Sequence, residues 1–288
     1  AFRGMPDETL LYPTHGGGSF CSAGSGATRT STLGQERATN PVLGIESEDE
    51  FVRWFPTTFP AAPAYYFRMR AFNAAGPRLR RDIPQPPPLA PDGVARLQPE
   101  ALIVDVRSMR DYARAHIPGA LSIAFRDAYA VWLGWLAPPD ARLVFVTDGA
   151  PLGAVIDESL LVGYEDFAGV LDGGMTAWEA AGRPVASSAV VDAAQARRSL
   201  IDGALALDVR ERDEYAGEHI PEALHIPLGE LARRVEELPA GRPIVAYCGH
   251  GERAASAVSI LERAGHTGLM NLDGGIEAWR RADLPRTV

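Results

Sequence analysis

The sequence predicts an α/β fold built from two copies of one domain, and three observations predict it. Two segments repeat in register: ALIVDVRSMRDYARAHIPGALSIAF (101–125) matches ALALDVRERDEYAGEHIPEALHIPL (204–228), and LDGGMTAWEAAGRPV (171–185) matches LDGGIEAWRRADLPR (272–286). The spacing makes each copy about 100 residues, the size of a small domain rather than of a solenoid repeat. The apolar runs LIVDV, LVFV, LALDV and IVAY are short and rich in β-branched residues, as suits strands buried on both faces. Helical patterns alternate with them, which indicates largely parallel sheets.

Along the chain, residues 14–34 are rich in Gly, Ser and Thr and read as loop, with a helix opening near Ser31–Thr32. Ser47 and Glu50 form a capping box ahead of FVRWF. PAYYFRMRAFNAAG (63–76) has Pro at a helix start and Gly at its end. RDIPQPPPLAPDG (81–93) is stiff and proline-rich, the expected linker. Within the copies SMRDYARAH, LGELARRVEEL, ERAASAVSILERAG and GIEAWRRA read as helices, the third closed by Gly265.

Composition excludes several classes of function. The net charge of −9 argues against nucleic acid or an anionic membrane as the main partner. All 28 basic residues are arginine, which excludes Schiff-base chemistry, a pyridoxal-phosphate lysine and the P-loop lysine. Two cysteines, Cys21 and Cys248, make neither a disulfide framework nor a zinc knuckle, so a reducing, cytoplasmic setting is expected. No apolar run approaches the ~18 residues of a membrane span, and AFRGMPDETLLYP lacks the pattern of a signal peptide. Beginning with Ala in mid-pattern, the chain is expected to be a piece of a longer polypeptide.

The chemistry concentrates in IVAYCGHGERAASAVSI (244–260). A thiolate is the useful form of cysteine. Cys248 ends a buried strand, Gly249 and Gly251 let backbone N–H groups curl into an anion-binding nest, and a helix opening near Glu252 adds its positive end. Arg253 brings a planar cation to the same place. The bland alternative is a small buried hydrophobe, the usual fate of a free cysteine. His250 is either a proton shuttle or a solvent-facing loop residue. Glu252 puts a carboxylate where a site for a dianion would favour positive charge. In the first copy Asp148 stands where Cys248 stands, Gly153 where Arg253 stands, and Pro151 removes a donor, so that copy is expected to be inactive. Asp105, Asp208, Arg107 and Arg210 are expected to be structural.

The C-G-H-G-E-R loop, the repeated DVR and HIPxA, and LDGG-xx-AW together resemble the rhodanese, or sulfurtransferase, family over residues 85–288, as two copies. The resemblance implies tandem rhodanese-like domains with mostly parallel five-stranded sheets flanked by helices: residues 83–187 inactive, 188–288 active. It makes Cys248 the carrier of a sulfane sulfur as a persulfide. Gly249, His250, Gly251 and Glu252 form the substrate-binding cradle, and Arg253 steers the anion. Thiosulfate, glutathione persulfide, sulfite, a thiol or cyanide are the implied donors and acceptors, with the Glu252 carboxylate pointing to organic persulfides or modest thiosulfate turnover; no cofactor is needed, and a homo-oligomer is compatible. Dual-specificity phosphatases of related fold use C-x5-R, whereas Cys248 and Arg253 enclose four residues and Tyr247 replaces the phosphatase histidine.

Residues 10–43 are similar to the closing segment of metallo-β-lactamase-fold proteins fused to rhodanese domains, which makes residues 1–82 a partial fold with linker. That class includes persulfide dioxygenases with mononuclear non-haem iron. The fold's H-x-H-x-D-H motif does not occur in these 288 residues. His15 matches the fold's last metal-site histidine and is expected to be a relic, so iron enters only with an upstream domain. Cys21 is either an incidental thiol or a second sulfur relay. The competing function is a non-catalytic scaffold, both copies serving a metallo-β-lactamase-fold partner.

Overall fold

In a computed structural model of the chain, the described residues are 4–13, 30–59, 62–63, 65–98 and 100–288. Backbone packing groups them into two compact units, Ala1–Ala62 and Pro63–Val288. His15 and Cys21, singled out in the sequence, lie outside the described residues.

In the first unit, β1 (Leu10–Leu11) pairs antiparallel with β2 (Ser31–Thr32). Helix α1 (Leu33–Thr39) follows, its N-terminus capped by Thr32, which accepts from the Gln35 N–H at 3.2 Å. Ser47 caps α2 (Glu48–Trp54) in the same way, accepting from the Glu50 N–H at 3.4 Å. Such caps satisfy backbone donors that a helix leaves unpaired, and the acidic first turn of α2 suits its positive end.

The second unit opens with α3 (Tyr66–Ala75), closed by Gly76 at φ +83°. Arg68 on this helix donates to the carbonyl oxygens of Pro139 and Val162 and lies 4.7 Å from the ring centre of Tyr164. These bonds tie α3 to the first repeat. The division between units therefore falls before α3, ahead of the proline-rich stretch where the sequence suggested a linker.

Each repeat forms one all-parallel five-stranded sheet. The first contains β3 (Pro88–Leu89), β4 (Leu102–Asp105), β5 (Leu121–Ser122), β6 (Leu143–Val146) and β7 (Phe167–Leu171), in the order β3-β7-β6-β4-β5. Its helices are α4 (Pro91–Leu97), α5 (Met109–Arg114), α6 (Tyr129–Leu136), α7 (Leu152–Leu161) and α8 (Gly174–Ala180). The second contains β8 (Ala189–Val191), β9 (Leu205–Asp208), β10 (Leu224–His225), β11 (Ile244–Tyr247) and β12 (Leu269–Leu272), in the equivalent order β10-β9-β11-β12-β8. With it come α9 (Ala193–Ile201), α10 (Arg212–Gly217), α11 (Leu228–Arg234), α12 (Glu252–Arg263) and α13 (Gly275–Arg281). The central strands LVFV and IVAY are buried throughout, which is why they read as unbroken apolar runs.

The copies share one core. Val104, Phe145 and Val155 of the first belong to the same buried apolar cluster as Leu207, Ile244 and Val258 of the second. Strand β5 is an edge of the first sheet, and α12 of the second copy covers it. The Ser122 N–H donates to Ser259 Oγ at 3.1 Å, and Ser256 Oγ donates to the Ser122 carbonyl at 2.6 Å. Two hydroxyls thus satisfy backbone groups that an edge strand leaves open. Along the same helix, Glu262 Oε2 lies 2.9 Å from Nε2 of the fully buried His116. No helix among the described residues is long and apolar enough to cross a membrane.

Candidate active site

The chain leaves β11 and turns through Cys248, Gly249, His250 and Gly251 before entering α12. Gly251 sits at φ +119°, a conformation that favours glycine. Its N–H points at Cys248 Sγ, 3.0 Å away. A hydrogen bond from a fixed amide strengthens when its acceptor carries charge, and α12 adds its positive end at the same point. Among the described residues this is the one hydrogen bond to the sulfur, so the cradle holds the resting thiol by one amide and not by a ring of them.

Cys248 is 1% exposed and packs in the shared core. That burial is what the bland reading, a small buried hydrophobe, requires; the position of Arg253 speaks for the other reading. Arg253 has not turned away: its Nη2 lies 3.5 Å from where a Cβ on Gly249 would sit. The thiol is set beneath its loop, with the Gly251 N–H on the sulfur and the Arg253 guanidinium beside Gly249.

Arg253 is clamped. Its Nη1 and Nη2 donate to the two carboxylate oxygens of Glu214 at 2.6 and 2.8 Å. Burial alone would weaken its protonation, yet the Glu214 bonds and the nearby Cys248 charge raise its pKa above the ordinary arginine value. Burial pushes Glu214 up as well, but the Arg253 bonds prevail and hold it below the usual carboxylate range. Glu211, one turn earlier, is raised above that range by burial, with Arg253 opposing and neighbouring acids reinforcing. Glu214 was missed in the sequence. A signal existed: it occupies the place of Asp111 in the first copy, where no arginine needs a partner because Gly153 replaces Arg253.

The LDGG motif also finds its role here. Gly275, at φ +55°, lies so close beneath the loop that a Cβ would collide with the Cys248 carbonyl oxygen and stand 2.6 Å from the Gly249 carbonyl carbon. The Ile276 N–H donates to the Cys248 carbonyl at 2.8 Å. Of the other loop residues, His250 is exposed with no hydrogen bond to any described residue, and Glu252 is half-buried.

The repeated motifs are structural, as expected. Arg210 Nη2 donates to Asp208 Oδ2 at 2.5 Å and to the Glu218 carbonyl at 2.6 Å, and both side chains are buried. Arg107 and Asp105 form the same pair in the first copy. His219 stacks on Tyr215 with ring centres 4.0 Å apart. In the first loop Asp148 accepts from the Met175 N–H at 3.3 Å and from Arg107 Nη1 at 3.5 Å. A carboxylate held by those donors has no sulfur to give or receive.

Two parallel α/β domains on one core define a tandem-domain protein in which the strand-to-helix turn of the second copy carries a thiol and that of the first a carboxylate. The chain belongs to the rhodanese-like domain family, whose model matches residues 91–181 and 192–282. It is 40% identical over 81 residues to "Sulfurtransferase" of Allochromatium vinosum, covering 28% of this chain and 76% of that protein. It is 34% identical over 95 residues to "Thiosulfate sulfurtransferase GlpE" of Pseudomonas syringae pv. syringae, covering 33% and 88%. Of the first two curated relatives it matches, the chain spans 47% and 35% of the length. Among solved structures it is similar to a metallo-beta-lactamase from Staphylococcus aureus, 28% identical over 59% of this chain and 46% of that one, with a TM-score of 0.45.

Proposed function

We propose that the chain is a sulfurtransferase that carries sulfane sulfur on Cys248. The Cys248 thiolate attacks the outer sulfur of thiosulfate or of an organic persulfide. The donor's S–S bond breaks, and its electron pair leaves with sulfite or the parent thiolate. A thiol, sulfite or cyanide acceptor then attacks the terminal sulfur of the Cys248 persulfide and regenerates the thiolate. Each step exchanges one bond to sulfur for another, with no outside oxidant.

The observation that carries this reading is the Gly251 N–H directed at Cys248 Sγ, with Arg253 alongside. The clamp of Glu214 on Arg253 supports organic persulfides as the better donors, because it offsets the cation a dianion would need. Incubation with thiosulfate or glutathione persulfide, followed by intact mass measurement, tests it. Gain of one sulfur atom, lost in Cys248→Ser, is expected.

The 1% exposure of Cys248 favours a second reading, a scaffold without catalysis, and no gain of sulfur in the wild-type chain would establish it. The resemblance of residues 10–43 supports a wider proposal, that the chain is part of a persulfide dioxygenase–rhodanese type protein of the cytoplasm. Among the described residues no three His, Cys, Asp or Glu side chains converge to hold a metal, so no step is routed through iron.

A further inference from the structure

Gly251 supplies the N–H that meets the sulfur, and two residues grip it from outside the loop. The first is Asn271 on β12, whose Nδ2 donates to the Gly251 carbonyl at 3.1 Å. The second comes from the silent copy. Met109 places its Sδ and Cε 2.9 and 3.1 Å from where a Cβ on Gly251 would sit, so its thioether rests directly on the Gly251 Cα. Met109 Sδ also lies 3.8 Å from the same Asn271 Nδ2. The turn that carries Met109 is itself pinned: Ser108 caps α5, accepting from the Asp111 N–H at 3.1 Å, and Arg110 donates to Asp273 of the second copy at 2.6 Å.

Comparison of the two copies sharpens the point. The position of Met109 is taken in the second copy by Arg212, which points to the surface and pairs with Glu230 at 2.7 Å. The position of Asn271 is taken in the first copy by Val170. The amide therefore occurs under the live loop, and the thioether occurs on the copy that faces it. Neither would be selected by the fold of its own domain, since the same fold accommodates arginine and valine there.

We propose that Met109 of the silent copy is a positioning residue of the active site, holding Gly251 with Asn271 so that its N–H stays aimed at the Cys248 sulfur. The proposal rests on the sulfurtransferase reading only for its kinetic consequence. Without the wedge, Gly251 is free to leave φ +119°, and the sulfur loses its amide donor. Removing one preorganised donor to a developing anion costs on the order of a hundred- to a thousandfold in turnover, and partial loosening is expected to cost less, about tenfold. Leucine fills nearly the same volume as methionine and should keep the wedge.

The test uses the full chain and two readouts. In Met109→Ala, amide hydrogen exchange at Gly251 is expected to speed up by about tenfold relative to the buried amides of Val245 and Ala246, which report global opening. The turnover number for sulfur transfer should fall by about tenfold with KM within about twofold, because an anchoring defect acts on the reacting sulfur rather than on donor binding. Met109→Leu should restore both. If Gly251 exchange in Met109→Ala keeps step with Val245 and Ala246, or if Met109→Leu fails as badly as alanine, the proposal is overturned. A wild-type chain that takes no sulfur would overturn the proposed function instead, and the exchange measurement would still decide the role of Met109.

Discussion

Both terminal guanidinium nitrogens of Arg253, Nη1 and Nη2, are bonded to the one carboxylate of Glu214, at 2.6 and 2.8 Å, so the cation beside Cys248 reaches the site already paired. A bidentate pair fixes the plane of the arginine and at the same time spends much of its attraction for a second anion.

Glu214→Gln should therefore change donor preference. With the charge of Arg253 released toward the thiol, kcat/KM for thiosulfate is expected to rise by about tenfold, the order of one hydrogen bond to a charged group, while that for glutathione persulfide rises less. Steady-state rates with the two donors check this. A parallel fall in both would show that the clamp serves only to position Arg253.

The same pair carries a pH dependence whose sign is fixed. Glu214 is held below the usual carboxylate range, so its contribution to stability is present above that range and lost as pH falls through its depressed native value. Glu211 is raised, so its contribution is present at low pH and lost as pH rises through its elevated value. Denaturant titrations at pH 7 and at about pH 4 should show Glu214→Gln destabilised chiefly at pH 7, and Glu211→Gln more stable than wild type at pH 7, with the gain fading toward acid.

Gly275→Ala should disrupt the site from below. The added methyl meets the Cys248 carbonyl and the Gly249 backbone, neither of which can yield without moving the loop, and φ +55° is strained for alanine. A loss of about 2–4 kcal/mol is expected, together with faster alkylation of Cys248 as the loop opens. Urea unfolding and thiol labelling measure the two effects.

Ser256→Ala with Ser259→Ala should loosen the seam between copies. The double change leaves the N–H and carbonyl of Ser122 without their partners in a buried place, at about 1–3 kcal/mol for each group. Thermal unfolding reads the loss. A melting temperature within error of wild type would mean that water replaces both hydroxyls.

Much of this was legible in the sequence because the repeat compares the protein with itself. The unbroken runs LVFV and IVAY gave the central strands, and Asp148 in the place of Cys248 marked the loop without a thiol. The caps at Thr32 and Ser47 and the glycine closing α3 were visible as local chemistry. What could not be seen depended on contacts between distant segments. Glu214 meets Arg253 across 39 positions, and Met109 reaches Gly251 from the other domain. The attachment of α3 to the first repeat was hidden for the same reason: Arg68 binds carbonyls at Pro139 and Val162, and no local pattern announces that. The loop glycines suggested several amides converging on the sulfur, whereas the backbone brings one, since Gly251 alone in that loop has positive φ.

The serine seam at Ser122 has a consequence for ancestry. A gene shortened to the second repeat would encode a helix whose buried hydroxyls had lost their strand, and one shortened to the first would leave an open β-edge inviting self-association. A copy that carries no thiol can still be indispensable as the seat of its neighbour's helix, so its loop is free to change where its edge strand is not.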